Sequence, residues 1–465
     1  MYGKNNDFVD LVKKFEDSVK NGIPLFFDSE ELEELLEHYF ASQQLDFAKI
    51  CIDKGREQYP YSNTFRIFQA QYLAANHNTQ QALSILQELE SIEPGNSEIY
   101  MTRGYIYSQM GLSEQAIENF KIALPLSEEK DEVYTSIGIE FLNQENPKDA
   151  IFYFKKALKH NPKNEFALNE LSVAFEFAGK FEEAIEYFTK FIDDWPYNHL
   201  AWFNLGISYN KSGQFRKSIE AYDYCIAIDE DFSSAHFNKA NAHASLGEYK
   251  IAIEIFKETL KREEPEASTY FFIGECYEEL KDFDNALLYF NRSIKLDPNY
   301  ADAWLSIGIV LENQNRITEG IHYIKKALEL NPAEPEYWYI FGELQQKLGF
   351  HEEAIEAFSN VIQLGYDQFD VYLNYSDVLV EAGYHKEAIR ILQEGLNKFP
   401  DTAELHYRMS AILIGTGQTQ EAMSFLQNAL LLNFDKHDEL FNYLPSLKDN
   451  LQFQDIINTY KRNQK

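Results

Sequence analysis

The sequence predicts an all-α protein built from repeated helix pairs, an α-solenoid. Three observations carry the prediction. A period of 34 residues runs almost the length of the chain, apolar residues recur at helical spacing in each half of the period, and glycine and proline sit where a helix must stop.

The frame is easiest to see from His199. Trp202 occupies its position 4, Leu205 position 7, Gly206 position 8, Tyr209 position 11 and Gly213 position 15. Steps of 34 return tryptophan at Trp304 and Trp338, and glycine at Gly104, Gly138, Gly274, Gly308 and Gly342. Position 20 is alanine in most units, as at Ala48, Ala184 and Ala422, and position 24 is apolar or aromatic, as at Phe120, Phe188 and Phe256. Proline recurs at position 32, as at Pro60, Pro196, Pro298 and Pro400. The frame holds from Ser29 to Lys436 without insertion or deletion, 408 residues or twelve units of 34, starting at 29, 63, 97, 131, 165, 199, 233, 267, 301, 335, 369 and 403.

Positions 4, 7, 8 and 11 form one face of a first helix, and positions 20, 24 and 27 one face of a second. Glycine at position 15 supplies the turn between them. Proline at position 32 ends the second helix, because it lacks the amide proton and its ring clashes with the preceding turn. Small residues at positions 8 and 20 let the two helices cross closely, and a larger residue there would overpack.

These residues at this spacing resemble the tetratricopeptide repeat family, whose signature is Trp, Leu, Gly and Tyr in the first helix, then Ala, an aromatic, Ala and Pro. The resemblance covers residues 29–436 and implies a right-handed superhelix of antiparallel helix pairs, with first helices lining a concave groove. Arg66 at position 4, and Leu89 and Phe191 at position 27, depart from the pattern and imply locally altered packing.

The end units need covers, since each would otherwise expose an apolar face. Residues 1–28 supply a capping helix and linker: Phe8, Leu11, Val12, Phe15 and Val19 share one helical face, and Asp28 with Glu31 reads as a capping box at the next helix start. Residues 437–465 read as a degenerate repeat, with Leu440, Leu444 and Leu447 interrupted at Pro445, and a final capping helix carrying Ile456, Ile457 and Tyr460.

Composition narrows the functional classes. The 42 basic and 75 acidic residues give a formal charge of −33, which repels phosphate backbones and argues against nucleic-acid binding. It favours basic or neutral partners, or serves solubility alone. Three distant cysteines, Cys51, Cys225 and Cys276, form no disulfide framework or metal pair, which fits a reducing compartment. Neither a secretory leader nor a membrane-spanning run is expected, so the expected location is cytoplasmic.

Chemistry-bearing motifs are sparse. No phosphate loop or HExxH pair occurs. The stretch GTGQTQ at 415–420 places Gly417 at position 15, so it reads as an inter-helix turn. His236 and His243 lie seven apart, but at positions 4 and 11, where sister units carry aromatic residues, so both read as packing residues and not metal ligands. Cys225 at position 27 reads as an inert buried thiol. His351 and His385, at position 17, are expected to be exposed. No catalytic set, metal site or cofactor is expected.

The resemblance directs positions 2, 5, 6, 9, 12 and 13 toward the groove. Position 5 is Asn169, Phe203, Phe237 and Phe271, position 6 is Asn204, Asn238 and Phe272, and position 9 is Asn241 and Glu275, in successive units. Three Phe outside the packing face would mark an interaction site if exposed. Asn204 and Asn238 would present amides that hold an extended peptide backbone. Glu275, with Glu278 and Glu279, would favour Lys or Arg. These nine residues form the expected binding surface. The Lys and Asn set by which chaperone-type members grip a carboxylate is missing, with Phe203 and Ile207 in its place. The expectation is a non-enzymatic scaffold holding a basic and hydrophobic protein segment. The alternative is a structural subunit of a large or homo-oligomeric assembly, docking by its outer surface and ends.

Overall fold

From Ser29 to Leu432 the chain alternates short helices, beginning Ser29–Ala41 and Leu45–Gln58 and ending Ala403–Gly415 and Thr419–Leu432. The computed structural model describes residues 2–23, 25–262, 264–366, 368–449 and 451–463, and no strand occurs among them. Residues 1–238 and 239–465 form two compact units, and each is described by itself. Both are α-solenoids, in which a helix such as His199–Lys211 or Ala301–Asn313 packs on its partner and on the adjoining pair of the same unit.

The turn at position 15 needs a left-handed backbone. Glycine meets this at Gly213 (φ 75°), and Gly417 (φ 83°) confirms GTGQTQ as an inter-helix turn. Gln43, His77, Glu145, Lys281 and Asn315 hold the same conformation without being glycine, at φ between 55° and 61°. The turn is therefore imposed by the packing of the helix pair, and glycine only relieves its strain.

Gly206 shows why position 8 is small. A Cβ there would meet Cε1 of Tyr222 at 2.4 Å. The ring at position 24 fills the space that a side chain at position 8 would occupy. Gly104 stands in the same relation to Phe120, and Gly274 to Phe290.

Position 4 carries a second recurring bond. The indole nitrogens of Trp202, Trp304 and Trp338 each donate to the carbonyl of the preceding proline, Pro196, Pro298 and Pro332, at 2.9 Å. His236 makes the equivalent bond, its Nε2 3.0 Å from the Glu230 carbonyl oxygen, and is buried. The aromatic ring at position 4 thus satisfies a carbonyl left over where the second helix ends.

The N-terminal helix, Tyr2–Asn21, buries Phe15 against Phe27 and Tyr39, with ring centroids 5.4 and 5.8 Å apart. Asp28 accepts from the Glu31 amide at 2.8 Å while Glu31 accepts from the Asp28 amide at 3.0 Å, a complete capping box. Toward the other end, the helix Asp438–Tyr443 gives way at Pro445 to a 3-10 turn, and Leu451–Asn463 is the last described helix. Phe453 and Ile457 of that last helix are buried with Leu440 and Leu447.

Candidate functional site

The first helices decide which side chains remain available. The helix Glu165–Phe177 packs against its partner Phe181–Asp194, against the preceding second helix Pro147–His160, and against the neighbouring first helices Lys130–Asn143 and His199–Lys211. So enclosed, a first helix buries a broader arc than the single apolar face that its periodicity marks.

Position 5 falls inside that arc, a correction to the expected exposure of its aromatics. Phe203 is half-buried, with its ring 5.9 Å from Tyr222 and 5.0 Å from Phe232. Phe271 is 8% exposed and packs on Phe290 and Tyr300. Phe237 is also half-buried. Each of the first two tucks against the position 24 ring of its own pair and the ring that ends the linker.

In several units position 6 joins consecutive first helices. Gln71 donates to Thr102 at 3.3 Å, Tyr105 and Ser136 lie within 3.1 Å, and Asn374 donates to the Tyr339 hydroxyl at 2.8 Å and to Glu343 at 3.0 Å. Arg408 is ion-paired with Asp377 in the same arrangement. Asn204 follows the rule. It is 2% exposed, and its Nδ2 donates to the Leu168 carbonyl and to Asn169 Oδ1, each at 3.3 Å. Asn204 therefore does not stand free as a peptide-holding amide, because the preceding helix already holds it. Asn238 turns back on its own helix and donates to the Ser234 carbonyl at 2.8 Å. The two amides form no ladder. Asn169 is exposed, its Oδ1 engaged by Asn204.

The remaining three expected residues do converge. Asn241, Phe272 and Glu275 line a cavity of about 390 Å³ together with Tyr249, Phe256, Ser245, Cys276 and Glu279. Asn241 and Glu275 come from position 9 of consecutive units. Phe272 stacks on Phe256, centroids 6.1 Å apart at 12°. The Tyr249 hydroxyl donates to Glu279 Oε2 at 3.2 Å. Two walls are aromatic, and the carboxylates sit on one side.

The carboxylates are held under stress. Burial pushes Glu275 up to about 7, with Glu278, Asp302 and Glu279 adding repulsion. Glu278 also rises to about 7, through burial and then Glu279. No basic side chain is paired with either among the described residues. Burial also pushes the Cys276 thiol up to about 12, so it is no nucleophile at neutral pH. Cys225 behaves alike, buried and pushed to about 12.

Sequence reasoning missed Tyr249 and Phe256. Both lie on the second helix Tyr249–Arg262, which the groove assignment left out, and Phe256 carries the position 24 signature of a packing residue. His243 Nδ1 lies 2.7 Å from Glu248 Oε2, within the same pair. His351 is half-buried, 3.5 Å from Glu381, not exposed as expected, whereas His385 is exposed.

Models described as tetratricopeptide repeat match residues 97–129, 132–164, 170–231, 237–301 and 379–440, together more than half of the chain. The chain belongs to the tetratricopeptide repeat family. Residues 279–361 of this repeat protein also match the model for anaphase-promoting complex, cyclosome, subunit 3. No curated protein matches it. Similar solved structures include a chain of the APC/C hetero-tetramer Cut9–Hcn1, at 17% identity over 92% of this chain and 94% of that one, with a TM-score of 0.42. YrrB, a TPR protein with an unusual peptide-binding site, is 20% identical over 40% of this chain and 96% of its own, TM-score 0.32. MamA is 23% identical over 38% of this chain and 94% of its own, TM-score 0.34. No helix among the described residues of the repeat protein is long and apolar enough to cross a membrane.

Proposed function

We propose that this chain is a non-catalytic tetratricopeptide repeat scaffold that holds an extended segment of a partner protein, and that the cavity at Asn241, Phe272 and Glu275 receives a Lys or Arg side chain of that segment. The observation that carries the reading is the cavity's composition: stacked aromatic walls beside carboxylates that lack a basic partner among the described residues. A cation entering it meets ring faces and relieves the repulsion among Glu275, Glu278 and Glu279. Asn241 offers a donor and an acceptor to the segment's backbone. Three buried, unpaired cysteines support a cytoplasmic setting.

The test is a fluorescence-anisotropy titration of the full chain with two labelled peptides of equal length, one bearing Arg–Phe pairs and one bearing Glu–Phe pairs. The first should bind and the second should not. Phe272→Ala and the double variant Glu275→Gln, Glu279→Gln should each weaken the first by about tenfold, the scale of one lost aromatic or charge-assisted contact. Equal binding of both peptides, or unchanged binding by both variants, overturns the reading.

The match of residues 279–361 to a subunit model of a multi-protein complex supports a second reading, that the chain is a structural subunit docking through its outer surface and ends. Under it, the native mass of the chain purified with its partners exceeds that of the free protein, and the cavity variants leave that assembly intact.

A further inference from the structure

The three position 4 tryptophans stand in different surroundings. Trp202 is stacked by Tyr224 of its own second helix, centroids 4.4 Å apart at 25°. Trp304 meets Tyr323 of its own second helix at 5.8 Å and 33°. Trp338 meets no ring of its second helix among the described residues. Among the described residues its ring neighbour is Phe341, on its own helix, 6.3 Å away and edge-on. The sequence explains the difference. Where Trp304 has Tyr323, Trp338 has Ala357, and where Trp202 has Tyr224, Trp338 has Asn360.

A cavity of about 400 Å³ lies between the second helices Ile317–Leu330 and His351–Gln363, floored by Trp338, Phe341 and Leu328. The equivalent space over Trp202, which Tyr224 lines, is about 280 Å³. The rim over Trp338 carries one base and an excess of acids: Lys325 Nζ lies 5.7 Å from the centre of the Phe341 ring at one side, and three glutamates line the rest. Glu353 and Glu356 are exposed and have no basic partner among the described residues, while Glu329 is held by Lys326 at 2.9 Å.

We propose that this groove docks an aromatic side chain of a partner protein, next to a Lys or Arg in the partner's sequence, with the ring stacking on Trp338 as Tyr224 stacks on Trp202. The chain itself supplies the template: the same frame that stacks an internal ring on Trp202 leaves Trp338 without one. The apolar floor accepts the ring, and Glu353 and Glu356 accept the neighbouring cation. This site is separate from the cavity at Glu275 and stands or falls without it.

The experiment labels the full chain with 5-fluorotryptophan and follows its four ¹⁹F resonances, each assigned by a single Trp→Phe variant. The probes are N-acetyl-Arg-Tyr-amide and N-acetyl-Glu-Tyr-amide. The Arg probe should shift the Trp338 resonance, the Glu probe should shift it less, and neither should move Trp304. Asn360→Tyr, which restores the internal ring on a partly exposed surface, should abolish the response. Tyr224→Asn should confer a response on Trp202. A Trp338 resonance that ignores both probes, or an Asn360→Tyr variant that responds as the parent does, overturns the proposal. So does a Trp338 shift that tracks protein concentration without probe, which would assign the groove to a second copy of the chain.

Discussion

The side-chain nitrogen of Asn204 lies 3.3 Å from the backbone carbonyl oxygen of Leu168, one repeat earlier. That bond turns a residue that looks like a ligand-binding amide into a rivet between consecutive first helices. Replacing Asn204 with Ala should leave a small void and remove a buried donor, costing about 1–2 kcal/mol. Urea denaturation checks the loss. Peptide binding by the folded variant should match the parent, and a selective binding defect would return Asn204 to the binding surface.

The crossing at position 8 predicts a graded response. Gly206→Ala places a methyl 2.4 Å from the Tyr222 ring, whereas Gly342→Ala places one 3.1 Å from Phe358. Overpacking of a tight core costs about 1–3 kcal/mol. Gly206→Ala should sit at the upper end and Gly342→Ala at the lower, as read from thermal midpoints.

The position 15 turns predict a change of the opposite sign. Glu145 holds φ 55° without glycine's freedom. Glu145→Gly should stabilise the chain by about 0.5–1 kcal/mol, the left-handed penalty less glycine's greater entropy loss. Gly213→Ala, at φ 75°, should destabilise by a similar amount. If both substitutions lower the urea midpoint, the turn is not under the strain inferred for it.

Glu140 places a carboxyl in a frame position that is apolar in most units. It is 2% exposed, and Oε1 accepts from Ser108 at 2.5 Å and from Asn143 at 3.3 Å. Its Oε2 has no partner among the described residues. Ile106, Ala174 and Val310 occupy the same frame position elsewhere. Glu140→Gln keeps an acceptor for Ser108 and removes the desolvated carboxyl, so it should be stabilising by about 1 kcal/mol in urea denaturation.

The carboxyl cluster at the cavity gives a pH dependence with a definite sign. Glu275 and Glu278 rise to about 7 in the folded chain, from about 4.3 when unfolded. Between these values the folded state holds more protons than the unfolded state, so stability falls as pH rises through the window. The cost is absent below the unfolded value and fully present above the folded one. Glu275→Gln should flatten the slope of the urea midpoint against pH between 5 and 8. A basic peptide prefers the ionised cluster, so its affinity should rise from pH 6 to pH 8, the reverse of the stability trend.

The sequence by itself determined the repeat, the ends of the helices and the packing roles of Trp202, Leu205, Gly206 and Tyr209. Those features are local. Each follows from spacing within one helix or from its junction with the next element, and the 34-residue frame states them many times over. The tertiary structure decided positions 5 and 6. A single-helix reading leaves Phe203 and Asn204 outside the packing face, because it cannot include the neighbouring repeat that closes on them. The same limit hid Tyr249 and Phe256, since a cavity between repeats takes its walls from residues distant in the frame. The open space over Trp338 lies between these cases. Ala357 and Asn360 were always legible, but their meaning appears only beside Tyr224 stacked on Trp202, where the structure displays the ring that Trp338 lacks.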